Sequence, residues 1–454
     1  MREKIEKALH KGNADYTEIR IESVISSWVN YRGEELDNIG SSKTLGGIVR
    51  SFYKGGWGYA VFNDLSDLEN RVKEACEAAK LVGRTKSRLT EVPQVVDNVT
   101  ATLEKDFREI PLSKKRSTIE DYNKIILGYH ERIETSNVGY SDKFRKIWYG
   151  NSEGTYIEDE RPDVVVNLSA TARKDSNVQR GFESVAGSAG FQIIEGLQEK
   201  AEASARRAVD LLSAPPVKGG KYTVVVNPRL AGVFAHEAFG HLSESDSVYE
   251  NEQMKKLMVL GKRLGPDMLN IIDDGSIPGL RGTHKYDDEG VKTRKNYLIK
   301  DGYLVGRLHS RETAAKMGEQ PSGNARAIGY QYQPIVRMTN TYIDKGNASF
   351  EDMLKDIDLG IYAIDMVGGQ TSMEMFTFSA ACGYMIRNGE IAELVRDVVL
   401  TGNVFETMMN INMLSDNVEF PRVGGGCGKE GQSPLPVGFG GPYVRICNVL
   451  VGGR

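Results

Sequence analysis

At 454 residues the chain is long enough for two or three domains with substantial cores, and its 40% apolar and 26% charged residues fit an ordinary soluble globular protein rather than a fibrous or disordered one. A net charge of −4 with no long Lys/Arg run leaves no basic footprint for nucleic acid, and no stretch approaches the ~18 uncharged apolar residues of a membrane span. The four cysteines, Cys76, Cys382, Cys427 and Cys447, are unclustered and form no Cys-x-x-Cys pair, which argues against a disulfide framework.

Met1 to His10 mixes acids and bases with Ile5, Ala8 and Leu9, lacks the apolar core of a signal peptide, and leads to an expected cytoplasmic location. A first α/β region, 1–89, opens with a short helix from Arg2 to Lys11. Strands are expected at Tyr16 to Val24, Ser26 to Tyr31, Gly46 to Phe52 and Trp57 to Phe62. Ser66-x-x-Glu69 reads as a capping box for a second helix with Leu68, Val72, Ala75, Cys76 and Ala79 on its apolar stripe, which makes Cys76 a core residue. From 90 to 111 the periodicity fades around Pro93, and the stretch reads as a linker.

A middle α/β region is expected over 112–216. Ser117-x-x-Glu120 reads as a capping box, with Ile119, Tyr122, Ile126, Tyr129 and Ile133 along one face of a long helix and His130 just off it. Strands follow at Arg145 to Tyr149, Gly154 to Glu158 and Asp163 to Ala172. A further amphipathic helix from Gln198 to Leu212 ends at Pro215-Pro216, where a boundary is expected. The remaining 217–454 alternates short β-type runs with glycine-rich turns and reads as a mostly antiparallel β-rich domain, so the whole is α+β. Asp273-Asp274-Gly275 reads as a turn. His10 and His130 read as solvated; His284 and His309 sit in polar settings able to line a cleft, and carry no assigned role.

The chemistry concentrates in His236-Glu237-Ala238-Phe239-Gly240-His241. Imidazole binds zinc and carboxylate moves protons. Ahead of it, Lys221 to Val226 is β-branched and aromatic and predicts a buried strand. Asn227 is a ready N-cap, Pro228 suits the first helical position, and Leu230, Val233 and Phe234 set a core-facing side. The two histidines are five apart, not four, so on a regular helix the second would lie roughly 140° round from the first. Only a π-type turn, or a helix opening at Gly240, would aim both imidazoles at one metal. A third ligand is needed, with Glu244 and Cys427 as candidates. Cys427 is the choice, since in Gly424-Gly425-Gly426-Cys427-Gly428-Lys429 bare backbone lets a thiolate approach a metal closely, and two imidazoles with a thiolate favour zinc, one Zn2+ per chain.

These motifs, taken with Glu244 and Asp246, Asp287-Asp288-Glu289-Gly290, Arg337-Met338-Thr339-Asn340-Thr341, and Gly431-Gln432 after the cysteine, make the chain resemble the TldD/PmbA family of metalloproteases in its TldD-type subunit, over most of its length. The resemblance implies zinc on His236, His241 and Cys427, and Glu237 as the catalytic group. It also implies a dimer enclosing the site, either a homodimer or a heterodimer with a PmbA-type subunit, and unfolded or extended peptides as substrates. The expected activity is that of a zinc peptidase in which a metal-activated water attacks the peptide bond and Glu237 is the general base. The alternative is a non-enzymatic peptide-binding or modulator subunit of the same complex.

Overall fold

A computed structural model describes residues 1–452. The first half builds one seven-stranded sheet from β1 (Tyr16–Arg32), β2 (Glu35–Tyr53), β3 (Gly56–Phe62), β4 (Val96–Val99), β5 (Ile133–Asn151), β6 (Tyr156–Lys174) and β7 (Asn177–Gly187). Its order is β3-β2-β1-β5-β6-β4, with β7 also on β6. Helices α1 (Arg2–Leu9) and α2 (Leu68–Val82) bury Ile5, Leu68 and Val72 against Ile19, Val49 and Phe62. Helices α3 (Leu112–Gly128) and α4 (Gln198–Ser213) bury Ile119, Ile126, Ala201 and Ala205 against Val138, Val166 and Leu168.

Several local expectations are revised. The two strands expected between Tyr16 and Tyr31 are one, because β1 pairs with β2 on one edge and β5 on the other without interruption through Val24–Ser27. The expected linker carries β4, which runs parallel to β6. Asp64, not Ser66, caps the turn ahead of α2, accepting from the Ser66 N–H at 2.8 Å. Helix α3 starts at Leu112 behind Pro111, so Ser117 lies inside it and donates back to the Lys114 carbonyl. That helix ends at Gly128, which leaves exposed His130 in the following turn and Ile133 in β5.

In the second half a nine-stranded sheet centres on β8 (Gly220–Val226), flanked by Val444–Gly452 antiparallel and Leu359–Ile364 parallel. A five-stranded sheet contains β9 (Ile271–Asp274) beside Asn340–Ile343. Asp273-Asp274 is therefore strand, not turn. Fully buried Asp273 accepts from the Thr339 N–H (2.8 Å), the Thr339 and Thr341 hydroxyls (2.7 and 2.9 Å) and Asn324 Nδ2 (2.8 Å), which meets the hydrogen-bonding demand of a buried carboxylate. The mixed sheets and helices make the fold α+β.

The halves meet through buried ions. Asp288 lies 2.9 Å from Arg161 and 3.4 Å from Arg20 of the first sheet, and Glu289 lies 3.0 Å from Arg50. Burial alone would raise the Asp288 carboxyl, yet Arg161, Arg20 and Arg145 hold it well below the ordinary carboxylate range. A group depressed in this way stabilises the fold above its unfolded value of 3.8, and that stability is lost as the pH falls below it. Asp288→Ala is expected to lower unfolding free energy by about 3–5 kcal/mol at pH 7, read by urea denaturation, because two buried guanidinium groups lose a partner. The deficit should shrink on acidification towards pH 3.

Candidate metal centre

From the centre of the large sheet, β8 delivers the chain into α5 (Pro228–Phe234). Asn227 is its N-cap, accepting from the Leu230 N–H at 3.0 Å, and Pro228 occupies the first helical position. Phe234 seals the helix onto Phe376 and Phe378, with ring centroids 5.5 and 6.2 Å away. The helix then widens: Ala235–Gly240 is a π-turn, and the His241 N–H donates to the His236 carbonyl five residues back. That bond brings the two histidine rings together edge to face, where the ordinary helical repeat would separate them. Gly240 leaves room for the sulfur of buried Met338, which a Cβ there would meet at 2.0 Å and have to displace.

Two imidazoles and a thiolate converge as a result. Donor atoms of His236, His241 and Cys427 all lie within 4.8 Å of one another, and Cys427 Sγ is 3.2 Å from His241 Nε2. His236 and Cys427 are each 3% exposed, and buried His236 Nδ1 has no hydrogen-bond partner. Burial would raise the Cys427 thiol, but the two imidazoles bring it down to about 5, so it is held as thiolate at neutral pH. Three close donors, one already anionic and one ring with an unpaired nitrogen, fit a tetrahedral cation with a fourth position open.

Glu237 Oε2 lies 3.8 Å from His241 Nε2, with a third of its side chain accessible. Glu244, the alternative third ligand, points elsewhere: its Oε2 is 3.0 Å from His241 Nδ1, the nitrogen facing away from Cys427. It therefore acts on the ring instead of joining the donor set, and such a carboxylate fixes the tautomer and orientation of a ligating histidine. Burial opposes the charge on His241, yet the Glu244 carboxylate and the Cys427 sulfur raise its value to about 11. Lys429 completes the support, 3.2 Å from Glu244 and 2.6 Å from Asp246.

The cysteine loop is held from two sides. Buried Arg337 donates to the Cys427 carbonyl at 2.7 Å and the Gln432 carbonyl at 3.1 Å. From the first half, the Ala186 N–H donates to the Arg422 carbonyl and Ser184 Oγ accepts from the Gly424 N–H at 3.0 Å, while Arg281 of the second half, paired with Asp163 of β6 at 2.6 Å, donates to the Gly425 carbonyl. Lys429 and Asp246 are visible in the sequence only as motif members, and nothing local marks Arg337 as a loop clamp. His284 and His309 lie outside the donor group. His284 is buried, its value well below normal through desolvation, and His309 bonds Thr313 and Glu319.

Residues 17–79, 105–213 and 219–453 match the first, central and C-terminal domain models of the PmbA/TldA metallopeptidases. A metalloprotease of Synechocystis sp. is 44% identical over 98% of this chain and 96% of its own. A zinc metalloprotease TldD homolog of Saccharolobus solfataricus is 30% identical over 99% of each. The crystal structure of TldE from Thermococcus kodakarensis superposes with a TM-score of 0.78 at 17% identity over 100% of both chains, which establishes a shared fold.

If Glu244 sets the state of the His241 ring, Glu244→Gln in metal-free protein should move the His241 titration midpoint down by about 1–3 pH units, followed by NMR of the imidazole protons. An unmoved midpoint would remove Glu244 from this role.

Proposed function

This chain belongs to the PmbA/TldD metallopeptidase family, and from that premise we propose that it is a zinc peptidase that hydrolyses extended, unfolded peptides, with one zinc held by His236, His241 and Cys427 and with Glu237 as general base. The observation that carries the reading is the placement of an accessible Glu237 carboxylate beside three converging donors, of which His236 and Cys427 are buried. A non-enzymatic binding subunit has no use for a base in that position. The name of the Saccharolobus solfataricus relative, a zinc metalloprotease, supports the choice of metal, as does the mixed nitrogen and sulfur donor set.

Zinc held by His236, His241 and Cys427 would supply a Lewis acid able to acidify a water towards a pKa of about 7 and to polarise the scissile carbonyl. Glu237 takes the water proton and returns it to the leaving amine, the ordinary double role of a positioned carboxylate. Glu244 keeps the His241 ring oriented from the far side, and Lys429 balances the charge of Glu244. Strand Gly368–Ser372 ends the large sheet with its outer edge unpaired among the described residues and runs close to the widened turn. A substrate adding to that edge would be gripped by main-chain hydrogen bonds, with little demand on its sequence. A second subunit, of this chain or of a PmbA type, would close over the cleft in a cytoplasmic dimer.

Glu237→Gln should retain about one zinc per chain while cleavage of an unstructured peptide falls about 10²–10⁴-fold. Cys427→Ala should lose the metal and the activity together, by elemental analysis and peptide turnover. A Glu237→Gln protein that cleaves at the wild-type rate would overturn the reading in favour of a binding subunit.

A further inference from the structure

Beside the metal turn lies a groove with a chemical character of its own. A cavity of about 420 Å³ opens between the first-half sheet and α5, lined by Arg180, Phe182, Arg229, Val233, Met366 and Phe439 among others, with Gly424 and Gly425 at its rim. A smaller one of about 160 Å³ shares Arg180, Phe182, Arg229 and Met366 and adds Arg207 and Asp365. The groove adjoins the candidate catalytic residues through covalent connection. Val233 stands one turn before Glu237 on the same continuous helix, and Gly425 is two residues from Cys427, at most about 7.6 Å between Cα atoms.

Its charge is one-sided. Three arginines line the two cavities against one carboxylate, Asp365, and that carboxylate is already engaged by Arg207 at 3.0 Å, Arg229 at 3.5 Å and Asn227 Nδ2 at 2.9 Å. Asp365 also donates its N–H to Asn227 Oδ1, so it serves the cap of α5 and is not free to swing towards a ligand. Arg180 is exposed. Its Nε donates to Ser169 Oγ at 2.7 Å, and its guanidinium forms no ion pair among the described residues. Phe182, Val233, Met366 and Phe439 supply apolar walls beside these cations. A guanidinium above an apolar wall matches a group with a hydrocarbon stem and a carboxylate tip, held with bidentate geometry.

Resting on the peptidase reading, we propose that this groove is a specificity subsite for a carboxylate of the peptide substrate, bound by Arg180 with Arg229 behind it, next to the bond being cut. The carboxylate has two sources, a Glu or Asp side chain or the peptide's own C-terminus. Edge-strand pairing leaves the sequence unread, so this groove is where the enzyme discriminates between peptides. Arg207 and Arg229 are paired with Asp365, and Arg207 also lies 3.3 Å from Glu183, so Arg180 is the cation left without an ion pair among the described residues, and its field favours acidic peptides over basic ones.

The test uses unstructured peptides that differ only in carrying Glu, Gln or Lys at each position flanking the cleaved bond, each with a free or an amidated C-terminus. Wild-type protein is expected to show a kcat/KM for Glu about five- to tenfold above Lys at one position, or for the free over the amidated terminus, with the ratio falling as salt rises. Which of these ratios departs from one identifies the source. Arg180→Glu is expected to abolish or invert that ratio. Binding of the same peptides to Glu237→Gln protein, by fluorescence anisotropy, separates this subsite from the chemistry. Cleavage without charge preference, or a preference unchanged in Arg180→Glu, overturns the subsite and leaves the peptidase intact. Charge-selective binding that depends on Arg180, with no cleavage by wild-type protein, overturns the peptidase and keeps the site. Absence of selective binding and of cleavage overturns both.

Discussion

One main-chain hydrogen bond, from the His241 N–H to the His236 carbonyl, governs the rest of the site. In an ordinary α-turn each N–H returns to the carbonyl four back, and histidines five apart face different directions. Lengthening the ring by one residue brings the imidazoles to centroids 5.3 Å apart with their planes nearly perpendicular. The widened turn survives because its surroundings leave no alternative: Gly240 lets the Met338 sulfur in, and Ala235, Ala238 and Phe239 are buried. Wide turns of this kind in otherwise regular helices recur at functional sites.

The second constraint is distance along the chain. Cys427 lies 186 residues from His241, on a loop with little apolar side chain of its own to anchor it. Rigidity is imported instead from Arg337, from Ser184 and Ala186 of β7 in the first half, and from Arg281, which is itself paired with Asp163 of β6. The three converging donors therefore depend on how the two halves of the molecule sit together, a relation held by ion pairs centred on buried Asp288 and Glu289. Buried pairs contribute little net stability for their desolvation, but a missing partner is heavily penalised, so they favour one arrangement of the halves over others. The same packing leaves the arginine-lined groove open beside the metal turn.

Where local reasoning from the sequence missed, a non-local partner was present. Ser66 and Ser117 each stand three residues before a glutamate, yet Asp64 caps the turn ahead of α2 and Pro111 precedes α3, because a capping pattern says nothing about which of several turns the packing selects. The polar run around Ser26-Ser27 resembles a break, yet ladders on both edges and the Ser27 hydroxyl bonded to Asp142 carry the strand through it. Asp273-Asp274 has the composition of a turn and the environment of a core strand, since Thr339, Thr341 and Asn324 arrive from other elements to satisfy it.

By itself the sequence determined the α+β class, the strand, cap and helix that carry His236 and Glu237, and the need for a wide turn if both histidines were to face one ion. Each follows from local periodicity, from side-chain capping chemistry or from the fixed geometry of the helix, all of which act over a few residues. Only the tertiary structure decided that the turn is a π-turn, that Cys427 and not Glu244 completes the group of donors, and that Glu244, Lys429 and Arg337 support it from behind. Those outcomes turn on contacts between residues up to 186 apart, and the direction in which a buried side chain points is set by what packs around it, not by its neighbours in the chain.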